Sequence, residues 1–315
     1  MNIVKLSPAF KDYLWGGTKL KTEYDKKCDF EKVAESWELS THKDGESTII
    51  SGEYKGLKLS EYIEKAGKAV LGTNAEKFEY FPILIKFIDA KESLSIQVHP
   101  DDKYALEVEG EYGKTEMWYI MDCEEGAYLY YGFNRDITAD EYRERIENNT
   151  LLEVLNKVEV KKGDVFFIEA GTVHAIGAGN LICEIQQNSN TTYRVYDYDR
   201  RDKYGNPREL HIEKAIAVSN TKKAPQISGQ EDYESAIKLL AECEYFNVIK
   251  AEISGEKQFV ADESSFNSVI VLEGEGEIFC GEESLPLHKG DSVFVPANTG
   301  KYEIKGNLCV VISRV

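Results

Sequence analysis

The sequence predicts a mainly β protein made of two similar β-barrel domains, with a few helices inserted in and flanking the first. Three observations lead there. Short apolar runs recur along the 315 residues, punctuated by glycine turns rather than by long helical periods. Tyr and Phe, at 19 and 13 residues, favour a pleated surface. Finally, Lys162-Gly163-Asp164-Val165-Phe166-Phe167-Ile168-Glu169-Ala170 recurs as Lys289-Gly290-Asp291-Ser292-Val293-Phe294-Val295-Pro296-Ala297, an offset of 127 residues. Two copies of one β-unit imply two related domains.

The elements follow in order. The first 55 residues mix short apolar stretches with glycine and charge, including Trp15-Gly16-Gly17 and Glu35-Ser36-Trp37-Glu38-Leu39. Leu57, Leu59, Tyr62, Ile63 and Ala66 then suit one face of a helix, with Ser60 as its cap. Residues 81–98 read as two strands joined at Lys91-Glu92-Ser93, and further strands follow over 115–121 and 127–133. Thr138-Ala139-Asp140-Glu141 has the form of a capping box. It opens a helical stretch to about residue 155, with Tyr142, Ile146 and Leu152 as apolar positions. Strands resume over 158–160, 165–168 and 181–185, separated by Lys162-Gly163-Asp164 and Gly177-Ala178-Gly179-Asn180, both turn chemistry. A second helix fits 211–218. Residues 220–232 are polar, with Pro225 and Gly229, and read as a linker. The expected domains are therefore 1–230, with a helical insertion at about 135–156, and 231–315.

Composition narrows the function. Hydrophobic residues make up 42% and charged residues 30%, a globular profile. The net charge of −18 argues against a general nucleic-acid binder, which needs a basic face. An anionic substrate must then be held by a local cationic pocket working against the global field. Lys5, Lys11 and Asp12 interrupt any apolar leader. The most apolar segment, residues 80–88, contains Lys86 and is too short to span a bilayer. Six cysteines without a CxxC pair suggest reduced thiols in a cytoplasmic protein, not a disulfide framework or a cysteine zinc site.

The chemistry-bearing residues gather around strand ends. Gln97 and His99 share one face by the period of two, and Pro100 ends that strand near a barrel mouth. Glu116 begins the next strand, and His174 ends the first copy of the repeat. Two imidazoles, a carboxylate and an amide oxygen suit zinc, and three strong ligands leave a position open for water or substrate. Of the remaining histidines, His42 and His288 read as surface or core residues, and His211 stands near a helix start. Lys114 shares the inward parity of Glu116. Arg194 follows Glu184 by ten residues and is flanked by β-formers, whereas Arg200, Arg201, Lys203 and Arg208 alternate with acids that can pair with them.

Ser95-Ile96-Gln97-Val98-His99-Pro100-Asp101-Asp102, Gly113-Lys114-Thr115-Glu116-Met117-Trp118, Gly171-Thr172-Val173-His174-Ala175 and Thr192-Tyr193-Arg194-Val195-Tyr196-Asp197 closely resemble the motifs of type I mannose-6-phosphate isomerases. Tyr13-Leu14-Trp15-Gly16-Gly17 and Glu35-Ser36-Trp37 match too, so the resemblance runs through essentially the whole chain in order. It implies a pair of cupin-type (jelly-roll) barrels and one zinc ion per chain, held by Gln97, His99, Glu116 and His174. It also implies a catalytic arginine at Arg194, an active-site lysine at Lys114 and an acid at Glu184. The implied substrate is a phosphosugar, with no nucleic-acid or membrane partner; the sequence is silent on oligomeric state. Longer relatives carry a large helical insertion where this chain has only about residues 135–156. Thr115 stands where many relatives have proline.

Two other readings share parts of this set. A cupin oxygenase would use two histidines and a glutamate for non-haem iron, and a sugar-binding cupin would lack catalysis. The basic residues near the site favour a phosphosugar, and neither the ligands nor the arginine have been lost. In the second repeat copy the offset puts Lys301 in place of His174, and the strand before it, Ser268-Val269-Ile270-Val271-Leu272, aligns with Met117 to Met121, so Asn267 stands where Glu116 does. That copy is expected to hold no metal.

Overall fold

The two repeat copies fold alike in the computed structural model, which describes residues 3–201, 204–225 and 236–315. Val165–Ile168 and Ser292–Val295 are both strands. Each follows a turn whose glycine, Gly163 or Gly290, has a φ of 93° or 89°, a conformation that favours glycine. The first strand pairs antiparallel with Glu116–Cys123, setting Ile168 opposite Glu116. The second pairs with Asn267–Cys280, setting Val295 opposite Asn267. The likeness thus extends to the neighbouring strand, where Asn267 takes the register of Glu116 as the sequence alignment expected.

Leu14–Gly17 and Ile88–Gln230 form one compact unit. It holds a five-stranded sheet in the order Tyr193–Tyr196, Ile96–Val98, His174–Ile176, Tyr128–Phe133 and Leu155–Glu159. It also holds the adjoining antiparallel strands Val165–Ile168, Glu116–Cys123 and Asn180–Gln187. A core of Ile96, Val98, Phe133, Tyr142, Ile146, Val173 and Val195 ties the five-stranded sheet to its helices. The segment expected as an insertion holds the helix Ala139–Glu147 followed by a 3-10 turn, Leu151–Val154. Thr138 caps the helix by accepting from the Glu141 amide at 3.1 Å. The helix stops well short of residue 155 because Asn149 turns left-handed, with φ 56°.

Met1–Tyr13, Thr18–Phe87 and Glu231–Val315 form the other unit. Its eight-stranded sheet runs Ile237–Glu242, Asn247–Ala261, Gly300–Arg314, Asn267–Cys280, Ser292–Val295, Val4–Ser7 and Thr48–Ile49, with Glu283–His288 paired to Asn267–Cys280. Both sheets are open paths, as in double-sheet jelly rolls rather than closed cylinders. Val4 lies opposite Phe294 and Leu6 opposite Ser292. The first strand of the chain therefore groups with the C-terminal segment, although the sequence division placed it in 1–230. No local pattern advertises a pairing across nearly the whole chain. The boundary expected at 230/231, residues 226–232 of the expected linker and Lys203 lie outside the described residues. The early helix is Leu59–Ala66, with Leu59, Tyr62 and Ile63 buried. Its cap is Lys58, whose amide donates to Glu61, while Ser60 sits inside the first turn and bonds Glu46.

Candidate active site

Strand pairing sets the site residues in rows. In the five-stranded sheet Arg194 lies opposite Gln97, Gln97 opposite His174, and His174 opposite Tyr131. On the adjoining strands Glu116 lies opposite Gln186 and Trp118 opposite Glu184. Period two gives Glu116 and Trp118 one face of their strand and Glu184 and Gln186 one face of theirs. His99 stands just past the strand Ile96–Val98. His174 opens the strand His174–Ile176 rather than closing the one before it, as the sequence suggested.

Three of the four expected ligands converge closely. The donor atoms of His99, Glu116 and His174 lie within 4.8 Å of one another, and all three side chains are buried. Glu116 Oε1 is 3.2 Å from His174 Nε2 and 3.7 Å from His99 Nε2. The Gln97 side-chain amide is 3.5 Å from the Nε2 of each histidine. Rotating that amide by 180° would put its oxygen at the same point. Each imidazole is aimed from behind: His99 Nδ1 lies 2.8 Å from the Thr191 carbonyl and His174 Nδ1 2.8 Å from the Thr172 carbonyl. A proton on Nδ1 bonds the carbonyl and leaves the Nε2 lone pair facing inward, the usual support for a metal-binding histidine. Burial pushes the His174 pKa down to about 4, against the pull of its Thr172 bond, so the ring stays neutral. A buried carboxylate beside two inward lone pairs is a donor set that fits a divalent metal.

The charged neighbours are equally close. Lys114 Nζ lies 3.0 Å from Glu116 Oε2, 3.6 Å from Glu184 Oε1 and 3.2 Å from His99 Nε2. Glu184 Oε2 accepts the Trp118 indole N–H at 2.9 Å. Trp118 was not singled out from the sequence, although its parity with Glu116 was the signal. Arg194 is half-buried. Its Nε meets Ser95 Oγ at 3.3 Å, and one terminal nitrogen donates to the Glu209 carbonyl at 3.0 Å. Burial, then the nearby Arg208, pulls its pKa below the ordinary guanidinium value. Of the later basic residues, Arg200 and Arg208 both reach Asp197 at 2.5 Å, and Arg201 reaches Asp199 at 2.9 Å. Burial raises the Asp197 pKa, but Arg208 and Arg200 outweigh it and hold the carboxyl below its usual range.

The second repeat copy is built differently from the sequence expectation. Asn267 does occupy the Glu116 register, but Lys301 is exposed. The side chain that meets Asn267 is the adjacent Tyr302, whose hydroxyl lies 3.0 Å from Asn267 Nδ2. Sequence offset located the strand but not its parity. Among the described residues, His99, Glu116 and His174 are the grouping of three such side chains with converging donors.

Comparison with known proteins extends these observations. Residues 3–129 match the family model for the phosphomannose isomerase type I catalytic domain, and residues 236–315 that for the mannose-6-phosphate isomerase cupin domain. The chain is 39% identical over 312 residues to the mannose-6-phosphate isomerase ManA of Bacillus subtilis, covering 98% of this chain and 97% of that one. It is 39% identical over 305 residues to the mannose-6-phosphate isomerase of Streptococcus mutans, covering 95% and 94%. A crystal structure of the Bacillus subtilis mannose 6-phosphate isomerase superposes with a TM-score of 0.90 at 38% identity, covering both chains fully.

Proposed function

The chain belongs to the type I mannose-6-phosphate isomerase family, and from that premise we propose a zinc-dependent aldose–ketose isomerase that interconverts mannose 6-phosphate and fructose 6-phosphate through an enediol. The observation that carries the metal reading is the convergence of His99, Glu116 and His174 on one point, with Gln97 beside them. Bound there, zinc would supply Lewis-acid polarisation of the sugar's O1 and O2.

The remaining chemistry falls to the chain's own groups. Isomerisation takes a proton from C2 of the open-chain aldose and returns one to C1, while a hydroxyl proton moves from O2 to O1. We assign the carbon-bound proton to the Lys114–Glu184 pair, whose charged atoms lie 3.6 Å apart. The Trp118 indole fixes one Glu184 oxygen and leaves Oε1 facing Lys114. Arg194, on the strand beside Gln97, is suited to bind negative charge that develops on the enediol oxygens. Its own partners are neutral groups, Ser95 Oγ and a backbone carbonyl, so its charge is available to an anion. Asp197, by contrast, already engages Arg200 and Arg208.

The test is metal analysis of the purified protein beside a coupled assay on mannose 6-phosphate. The reading expects one zinc per chain and turnover that a chelator abolishes and zinc restores. Ferrous-iron-dependent oxygen consumption without isomerisation would replace it with an oxygenase. Sugar phosphate binding without turnover would replace it with a binding protein.

A further inference from the structure

We propose that His211 is a positioning residue for Arg194, closing the open edge of its strand and so fixing where the guanidinium sits. The inference rests on the reading of Arg194 as the residue that meets the developing charge.

Tyr193–Tyr196 is an edge strand, paired on one side only with Ile96–Val98. In an antiparallel pair, the N–H and C=O of one residue point to the same side. Both groups of Arg194 go to His211: its amide donates to His211 Nδ1 at 3.2 Å, and its carbonyl accepts the His211 amide at 2.7 Å. They therefore point away from Gln97, which makes Arg194 and Gln97 a non-hydrogen-bonded pair. In such a pair the two residues approach most closely and the ladder holds them least. The register is irregular between Arg194 and Tyr196, so strand pairing alone does not enforce it. His211 supplies the missing partner with one side-chain acceptor and one backbone donor, acting as a one-residue strand.

His211 is itself fixed. It stands at the N-cap of the helix Ile212–Val218, and its carbonyl accepts the Ala215 amide at 2.9 Å. Its ring lies 6.1 Å from that of Tyr193. The charged groups that face it are Glu209, Arg194, Lys214 and Glu109. Glu109 is also held by the Tyr193 hydroxyl at 2.7 Å and Lys214 at 2.6 Å.

The clasp requires a bare lone pair on Nδ1. Burial lowers the His211 pKa below the ordinary imidazole value, with Glu209 opposing. The ring is thus neutral and accepting at neutral pH. As pH falls through the folded-state value the ring protonates, Nδ1 can no longer accept, and the clasp opens. Because that value lies below the unfolded one, its contribution is present above the unfolded pKa and is lost on the acid side.

The experiment uses the full-length, metal-loaded enzyme. Its variants are His211→Ala, His211→Asn, Arg194→Ala and the double Arg194→Ala/His211→Ala, with kcat and KM measured across pH. His211→Asn keeps an acceptor oxygen near the Nδ1 position but cannot be protonated. Expected are a kcat loss of about 10- to 100-fold in His211→Ala, recovery of most of it in His211→Asn, and no further loss when His211→Ala is added to Arg194→Ala. His211→Asn should also retain kcat further into acid than the wild type. If Arg194→Ala is crippled while His211→Ala turns over normally, the positioning role is overturned and the Arg194 reading stands. If Arg194→Ala itself turns over normally, the reading beneath it has failed. A loss in His211→Asn as deep as in His211→Ala, with an unchanged acid limb, would also overturn the proposal.

Discussion

At the scale of single residues, the site was legible where chemistry restricts the choice of side chain. Two histidines and a carboxylate at strand ends are a narrow vocabulary, and His99, Glu116 and His174 do converge. Their orienting partners were not legible, because the Thr172 and Thr191 contacts are made by backbone carbonyls that any residue carries. His99→Ala or His174→Ala should lose the bound metal and nearly all turnover while keeping the fold; metal analysis, the coupled assay and circular dichroism check the three parts. Gln97→Ala should be milder, since a neutral amide is the weakest donor of the set. Arg194→Ala should retain metal. If its contacts strengthen in the transition state, kcat falls by about 10²–10³-fold. A rise in KM at unchanged kcat would instead assign it to grip on the phosphate. Wild-type values for both would return it to structural pairing.

Elements were legible where a pattern spans several residues. The repeat strand Val165–Ile168 sits where an apolar run between two turns put it, and the helix Ile212–Val218 falls within the expected stretch 211–218. Shorter elements escaped notice. The strand His174–Ile176 has three residues, too few to alternate, and the helix Asp102–Val108 has one buried side chain, Ala105, so it carries no apolar stripe. That helix matters to the site through its start. Asp102 Oδ1 accepts the Gly113 amide at 2.7 Å and the Gln187 side-chain amide at 2.8 Å, and Gln187 in turn accepts the Thr115 amide at 2.9 Å. The backbone on both sides of Lys114 is thereby held in place. A Cβ at Gly113 would lie 2.4 Å from the Asp101 carbonyl carbon and 2.5 Å from the Asp102 nitrogen. Both are backbone atoms, which cannot swing aside. Gly113→Ala should therefore cost about 1–3 kcal/mol of stability, read by urea denaturation. It should also lower kcat by displacing Lys114; an alanine variant with wild-type stability and turnover would show the loop to be slack.

The whole molecule poses the question of why, among the described residues, the converging His–Glu–His grouping lies in one unit and not in the other. The registers Ile168–Glu116 and Val295–Asn267 show that the scaffold is shared. What differs is the side chains pointing inward. In the C-terminal unit Asn267 meets Tyr302, and both sit where apolar groups dominate: Tyr302 belongs to a core with Val269, Val271, Val295 and Ile304. Burial raises the Tyr302 hydroxyl pKa far above neutrality, so it stays protonated and offers no anionic ligand. An amide and a neutral phenol that already bond each other are poor competitors for a divalent cation. The titration of intact protein should therefore saturate at one zinc per chain, and of His174→Ala at none; a second tight zinc that survives His174→Ala would overturn this. The same pair should contribute to stability. Tyr302→Phe removes the hydroxyl while keeping the ring that stacks on Phe259, leaving the Asn267 amide with only the Val260 carbonyl of its two acceptors. A loss of about 1–3 kcal/mol follows from a buried donor deprived of a partner, measured by denaturant unfolding, with zinc content and kcat unchanged because the change lies in the unit without the site. A Tyr302→Phe protein as stable as the wild type would show that the hydrogen bond inherits the position without supporting it.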